Sequence, residues 1–185
     1  MDGLENLVHS MLSELGESPS RDGLKETPGR VAKAMRELTS GYEIDPASLL
    51  KTFDNDGTRD MVIVRDIPFY SLCEHHMLPF SGVAHIAYIP GDRIVGLSKF
   101  ARLVDAFARR LQVQERLTHQ IAETIAVEVD PSGVMVVVEA EHYCMAMRGV
   151  QKQGSRTITS AVRGVFVDQP EARAEAMGLL TKGTH

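Results

Sequence analysis

The sequence has few cysteines, no surplus of basic residues and no long apolar run. Two cysteines among 185 residues are too few for a disulfide scaffold, so a metal or redox role is the first explanation to consider for them. A formal net charge of −5 argues against nucleic acid or an anionic membrane surface as the main partner. The N-terminal segment MDGLENLV lacks the basic start and apolar stretch of a secretory signal, which predicts a cytoplasmic protein.

The apolar content is sufficient for one globular core, since 43% of the residues are hydrophobic. Apolar residues at helical spacing predict one helix over about residues 4–15, and Thr27-Pro28 predicts the start of a second helix that ends near Gly41. We expect these two helices to pack as a pair. Residues 1–45 are therefore interpreted as an N-terminal helical region, and residues 46–185 as a single functional unit.

The rest of the chain alternates between strand-like and helix-like segments. The strand-like segments are rich in β-branched and aromatic residues, and the helix-like segments repeat apolar residues at i, i+3, i+4 and i+7. The predicted strand pairs lie at 61–64 with 83–89 and at 134–144 with 156–166, and the predicted helix pair lies at 98–111 with 114–127. This order indicates an α+β fold, and the tail after Asp168 has the composition of a further helix.

A candidate metal centre is formed by residues from two separate places in the chain. The loop after the first predicted strand contains Cys73-Glu74-His75-His76, where a thiolate and an imidazole lie three residues apart. His142 and Cys144 lie near the end of the third predicted strand, where a period of two places them on one face. Cys73, His76 and Cys144 together provide three ligands and leave the fourth tetrahedral position for water, as in a catalytic zinc site.

Other interpretations of these residues remain open at the level of the sequence. The cysteines and histidines could be packing residues in a buried region, Cys73 and Cys144 could form a disulfide, or the two cysteines could act as a redox pair. Four further histidines lie outside the cluster and are interpreted as surface or packing residues: His9, His85, His119 and His185.

The start of the third predicted helix is a candidate anion site. Ser98 is expected to cap the free backbone amides, and Lys99 and Arg102 lie on the same face. These cations oppose the helix dipole, which makes sense if a phosphate binds there; a solvated basic face is the alternative. Arg148 lies four residues beyond Cys144 and would share its face if the strand continued regularly.

Gln114 and Glu115 lie at the junction of the two predicted helices. An amide beside a carboxylate can donate and accept hydrogen bonds in the pattern that a guanine edge requires, with Glu115 accepting from the purine N–H groups. Ordinary helix capping explains these two residues almost as well.

Taken in order along the chain, these motifs resemble the type I GTP cyclohydrolase family. Several separated motifs at consistent spacing are far more specific than any one of them, and the match runs from about residue 23 to residue 166. The motifs are SLCEHH at 71–76, LPF at 78–80 with Gly82, GLSK at 96–99, QVQERLT at 112–118, HYCM with MRGV at 142–150, and GSRT with TSA at 154–161.

The resemblance implies a tunnelling fold, in which an antiparallel sheet carries helices on one face. It also implies assembly through sheet edges into rings, in this family a decamer of two stacked pentamers. The pockets are then built from neighbouring subunits, so an isolated chain is expected to be inactive.

The resemblance also implies the chemistry and the roles of the site residues. GTP would be hydrolysed to formate and 7,8-dihydroneopterin triphosphate, the first step of pterin and tetrahydrofolate biosynthesis. Water activated by zinc would add to C8 of the purine while His142 protonates a ring nitrogen, and His75 would carry protons near the sugar. The remaining roles are these: Cys73, His76 and Cys144 hold Zn²⁺, Gln114 and Glu115 recognise guanine, Ser98, Lys99, Arg102 and Arg148 receive the triphosphate, and Glu74 orients a ligand or contacts the substrate.

Two rival functions belong to other classes. A non-catalytic nucleotide- or pterin-binding module would keep zinc as a structural element and would need a fourth protein ligand, for which His75 and His142 are candidates. A tunnelling-fold relative that attacks a nitrile or a purine-like substrate through a cysteine would need a free reactive thiol, whereas both cysteines here are better used by a metal.

Overall fold

The structure, a computed structural model, describes residues 2–181. Its contacts divide the chain into two units between Ser40 and Gly41. The last residues of the predicted unit 46–185, including His185, lie outside the described residues. No helix within residues 2–181 is long and apolar enough to cross a membrane.

The first unit contains the two expected helices, α1 (Gly3–Glu14) and α2 (Thr27–Leu38). Asp2 caps α1, because its carboxylate accepts hydrogen bonds from the N–H groups of Leu4 and Glu5, and the Glu5 side chain accepts one from the Asp2 N–H. α2 begins with Thr27-Pro28, as the sequence predicts. The two helices pack against each other and bury Val8, Leu12 and Ala32.

The second unit is built around a five-stranded sheet with the strand order β5-β2-β3-β6-β7. All neighbouring strands are antiparallel except β2 and β5, and β1 and β4 form a separate two-stranded ribbon. The elements are 3₁₀ turns at Ser40–Glu43 and Ala47–Leu49, then β1 (Thr52–Asp54), β2 (Val62–Cys73), β3 (Pro79–Ile89), β4 (Arg93–Val95), α3 (Ser98–Ala108), β5 (Leu111–Gln112), α4 (Gln114–Val129), β6 (Gly133–His142), α5 (Tyr143–Ala146), β7 (Arg156–Gly164), α6 (Val165–Asp168) and α7 (Pro170–Thr181).

α3 and α4 cover one face of the sheet. Alternate strand residues such as Ile86 and Val136 point to this face and are fully buried. The helices contribute apolar side chains at helical spacing, including Phe100, Leu103 and Ile121, each also fully buried. This layer is the main core, and it confirms the α+β architecture.

The opposite face carries a second, smaller core, so the expectation of helices on one face only is incomplete. Met135 and Val137 point to this side and pack with Phe166, Ala176 and Leu180. The tail beyond Asp168 is therefore helical, as predicted, and its apolar residues dock on the face that α3 and α4 leave free.

Two strand boundaries differ from the sequence prediction. β2 and β3 extend to Cys73 and from Pro79, so a short turn replaces the long loop that was expected. β6 ends at His142, where the pairing with Phe80 ends, and the β7 pairing has already stopped at Glu141. Beyond His142, β7 offers no partner and β3 has only Pro79, which has no N–H to donate, so the chain turns into α5. The Met147 N–H donates to the carbonyl of Tyr143 at 3.1 Å.

Candidate active site

The turn between β2 and β3 positions the first part of the site. The Cys73 N–H donates to the Leu78 carbonyl at 2.8 Å, and the Met77 N–H donates to the Cys73 carbonyl at 2.7 Å. Met77 has a φ of 54°, a left-handed conformation that closes the turn. This local geometry brings His76 to the side on which the Cys73 thiol lies.

Cys144 completes the cluster from α5. The ligand atoms of Cys73, His76 and Cys144 all lie within 4.8 Å of one another, and both cysteines are free thiols. Among the common divalent ions in proteins, zinc is the one that two sulfurs and one imidazole suit best. Among the described residues, neither His75 nor His142 joins this group, so it offers three ligands rather than four.

The environment of Cys144 is electrostatically suited to a cation. Burial raises the pKa of its thiol, the neighbouring Cys73 raises it further, and Arg148 acts in the opposite direction. A divalent ion reverses such a shift, because coordination stabilises the thiolate form.

Arg148 lies beside the cluster, but it does not lie on the strand where the sequence places it. It lies beyond α5 rather than on a continuing strand, so the prediction of a shared strand face with Cys144 is wrong. The Arg148 guanidinium nevertheless contacts the Nε2 atom of His76. The cation therefore lies at the edge of the candidate metal centre.

A cavity of about 200 Å³ lies beside the cluster. Its wall contains two of the three candidate metal ligands, both candidate proton carriers and both candidate guanine-recognition residues. The lining residues are Cys73, His75, Gln112, Val113, Gln114, Glu115, His142, Cys144, Met145 and Thr157.

His142 is held on two sides within this cavity. Its ring stacks on Phe80 with a centroid separation of 4.7 Å and planes 4° apart, and its Nε2 atom lies 2.8 Å from Oε1 of Gln114. Burial lowers the pKa of His142, and the Glu115 carboxylate partly opposes that effect. The ring is therefore held in one place and its neutral form is favoured.

Glu74 lies in the turn between β2 and β3 that carries Cys73 and His76, called here the metal turn, and it forms an ion pair with Arg116. Both carboxylate oxygens of Glu74 accept hydrogen bonds from Arg116, with Nη2 to Oε1 at 2.9 Å, and this pairing holds the pKa of Glu74 below its usual value. Arg116 lies in the first turn of α4, next to Glu115. The ion pair therefore ties the metal turn to the helix that carries the candidate guanine acceptor.

The helix start at Ser98 differs from the prediction in two respects. Leu97 already has helical backbone angles of −55° and −35°, so Ser98 is the first helical residue and its hydroxyl does not cap the helix. The Lys99 N–H donates instead to the Gly96 carbonyl at 2.8 Å. Within residues 2–181, Ser98, Lys99 and Arg102 do not belong to the lining of the cavity described above.

Sequence reasoning missed the supporting roles of Phe80 and Arg116. Both lie in the motifs LPF and QVQERLT, but the motifs do not show what either side chain touches. The signal for Phe80 is its cross-strand pairing with His142, and the signal for Arg116 is an unpaired acid in the metal turn.

The fold and site define a class of protein: an α+β protein with a Cys-His-Cys group for a metal beside a cavity lined by histidine and carboxylate side chains. The chain belongs to the GTP cyclohydrolase I family, whose sequence profile matches residues 4–181. The family resemblance is thereby confirmed.

Two relatives of known name agree with this assignment. A protein of Mycobacterium leprae (strain Br4923) named GTP cyclohydrolase 1 is 54% identical over 180 residues, which cover 96% of this chain and 88% of that protein. A protein of the same name from Chlorobium chlorochromatii (strain CaD3) is 55% identical over 182 residues, which cover 98% and 82%. The solved structure of the archaeosine synthase QueF-Like in the apo form aligns with a TM-score of 0.47 and 19% identity, over 60% of this chain and 97% of that one.

Proposed function

We propose that the protein is a zinc-dependent GTP cyclohydrolase I, which hydrolyses GTP to formate and 7,8-dihydroneopterin triphosphate. The observation that carries the proposal is the position of the Cys73, His76 and Cys144 group directly beside the cavity that holds His142 and Glu115. Relatives of the same name at more than half identity support the same function.

Cys73, His76 and Cys144 are the ligands of the ion. A zinc ion held by these three residues would supply a water molecule of lowered pKa as the nucleophile. The two sulfurs and the imidazole come from the β2–β3 turn and from α5, so the site forms only when both segments are in place.

Glu115 recognises the guanine base in this proposal. Its carboxylate accepts hydrogen bonds from the N–H groups of the pyrimidine half of the base. α4 begins beside the cavity and has no side-chain cap, so first-turn amides of the helix are available to an acceptor atom of the base. The base is thereby oriented with its imidazole half towards the metal group.

His142 and His75 move protons. His142 protonates the purine nitrogen as water adds to C8, and His75, which also lines the cavity, exchanges protons with the sugar during its rearrangement. Glu74 orients the metal turn through Arg116, the first of the two roles expected for it.

Ser98, Lys99, Arg102 and Arg148 receive the triphosphate. Arg148 lies at the edge of the metal group of its own chain, whereas the start of α3 does not line the cavity. A neighbouring copy therefore supplies Ser98, Lys99 and Arg102 to each pocket. Such sharing fits a ring assembly through the outer edges of β5 and β7, the two terminal strands of the sheet, as a decamer of two stacked pentamers.

The remaining assignments follow from this function. Residues 46–185 form the catalytic unit, residues 1–45 form the helical region that precedes it, and the enzyme acts in the cytoplasm at the start of pterin and tetrahydrofolate biosynthesis.

Removal and return of the metal test the proposal. Treatment with a strong chelator abolishes formate release from GTP, and added Zn²⁺ restores it in proportion to the zinc bound. Formate release that persists in metal-free protein contradicts the proposal.

A further inference from the structure

The side-chain amide of Gln114 has only one possible orientation. Its Nε2 atom lies 2.9 Å from the carbonyl oxygen of Val138, 2.9 Å from that of Thr157 and 3.1 Å from Oγ1 of Thr159. A carbonyl oxygen only accepts, so the two amide protons are directed to the two carbonyls. The reversed orientation places Oε1 against both carbonyl oxygens, and oxygens that only accept form no hydrogen bond with one another.

This orientation determines which nitrogen of His142 carries a proton. The atom of Gln114 that faces the ring is Oε1, at 2.8 Å from Nε2 of His142. An amide oxygen only accepts, so Nε2 must be the donor. In the neutral imidazole, Nδ1 then carries the lone pair.

The surroundings of Gln114 hold this arrangement rigidly. The residue is 1% exposed, the Thr118 hydroxyl donates to its backbone carbonyl at 2.8 Å, and the Thr118 and Thr159 hydroxyls lie 2.6 Å apart. Phe80 fixes the plane of the His142 ring from below. Position, plane and tautomer of the ring are thus all determined by Gln114 and Phe80.

We propose that Gln114 is a positioning residue that holds His142 as the Nε2–H tautomer, so that Nδ1 is the nitrogen that exchanges a proton with the substrate. The inference rests on the proposed function and assigns the Gln114 side chain to His142 instead of to guanine. Nδ1 takes a proton from the water that adds to C8 and gives it to the purine nitrogen, so the ring passes through its doubly protonated form and returns to the same Nε2–H form. The hydrogen bond to Gln114 is therefore kept throughout the transfer.

The first test reads the tautomer directly and needs no activity. Zinc-loaded protein labelled with ¹⁵N-histidine is examined by solid-state NMR at mildly alkaline pH, and the His142 signals are identified by their absence in the His142→Gln variant. Protonated Nε2 with unprotonated Nδ1 is the expected result. The opposite tautomer overturns the proposal.

The second test separates positioning from substrate contact. Gln114→Met keeps the length of the side chain and removes its polar atoms. We expect kcat for formate release from GTP to fall about 10- to 100-fold while KM changes less than about threefold and zinc content is unchanged. Gln169→Met, the same substitution at an exposed residue between α6 and α7, leaves both constants as in the wild type.

A raised KM at unchanged kcat in Gln114→Met overturns the proposal, because it indicates that the amide binds the base. If Gln114→Met does not fold, the NMR result on the wild type decides. Absence of formate release from the wild type defeats the proposed function, whereas the tautomer measurement still reports on Gln114 and His142.

Discussion

Phe80 and His142 face each other across β3 and β6, with their rings 4.7 Å apart and 4° from parallel. Phe80 is fully buried, so the core of the sheet extends directly under a side chain of the cavity. The relationship joins packing to chemistry, because any change under the ring moves the group that is proposed to transfer a proton.

Replacement of Phe80 is therefore expected to lower kcat more than a substitution elsewhere in the core that causes the same loss in the free energy of unfolding. In Phe80→Leu, the flat support of the ring is lost, and kcat falls about tenfold with little change in KM. Phe166→Leu is the matched control, since Phe166 is equally buried but lies in the second core on the opposite face of the sheet. Steady-state kinetics and denaturant unfolding of both variants make the comparison; equal kcat values at equal stability loss contradict the supporting role.

Substitutions of Cys144 and His142 are expected to have different effects on zinc binding, although the two residues are close in sequence. Cys144→Ala removes a ligand, so bound zinc and formate release are lost together. His142→Ala keeps the three ligands, so it retains zinc and loses ring opening. Metal analysis and a formate assay on the same samples separate the two, and zinc loss in His142→Ala would show that the roles are divided wrongly.

The Glu74–Arg116 ion pair is expected to support metal binding from outside the ligand set. Arg116→Met frees the metal turn, and we expect the zinc affinity to fall about tenfold. Chelator competition measures this change. Arg163→Met, which breaks a comparable pair between Arg163 and Glu123 at 2.8 Å, is the control and leaves the zinc affinity unchanged. Equal zinc affinities in wild type and Arg116→Met contradict this role.

Shared pockets predict complementation between inactive variants. The double variant Lys99→Ala/Arg102→Ala lacks the proposed triphosphate residues, and Cys144→Ala lacks the metal. When the two are unfolded together and reassembled, some pockets combine an intact metal group with an intact helix start, so activity returns. Each variant reassembled alone stays weak or inactive. If the mixture gains nothing over the two separate samples, the start of α3 does not serve a neighbouring pocket.

The burial of His85 leads us to expect that the protein loses stability in mild acid. Its side chain is 3% exposed, and burial lowers its pKa from the ordinary value of 6.5, with Arg65 acting in the same direction and Asp66 and Glu139 opposing it. As the pH falls below 6.5, the unfolded chain binds a proton that the folded chain does not, so the free energy of unfolding decreases until the lower folded pKa is reached.

Urea unfolding on both sides of this pH, with a chelator in every sample and at fixed protein concentration, measures the effect. His85→Gln reduces the dependence on pH, and the exposed His9→Gln does not. An identical pH dependence in wild type and His85→Gln contradicts the assignment.

The metal group could be predicted from the sequence because its elements are local. A cysteine and a histidine three residues apart reach one ion from a single turn. The second cysteine lies two residues beyond the strand β6, in α5 rather than on the strand that the sequence predicts. The paired strands and the helices of the main core could be predicted equally well, because the apolar residues recur with periods of two and 3.6.

Relationships that depend on register and docking could not be predicted in the same way. The stack of Phe80 on His142 follows from the alignment of β3 with β6, which a pattern of apolar residues does not fix to the residue. The end of β6 depends on where neighbouring strands stop, and the packing of α7 depends on a face formed by other segments. The burial of Gln114 could not be predicted for the same reason, because its hydrogen-bond partners lie on β6 and β7.

The most direct measurement is to incubate the purified, zinc-loaded protein with GTP and to quantify formate and the oxidised, fluorescent pterin in the same sample. The account predicts that both products appear in equal amounts. If neither product appears although one zinc is bound per chain, the central claim is contradicted, and a nucleotide- or pterin-binding protein with a structural zinc becomes the better explanation.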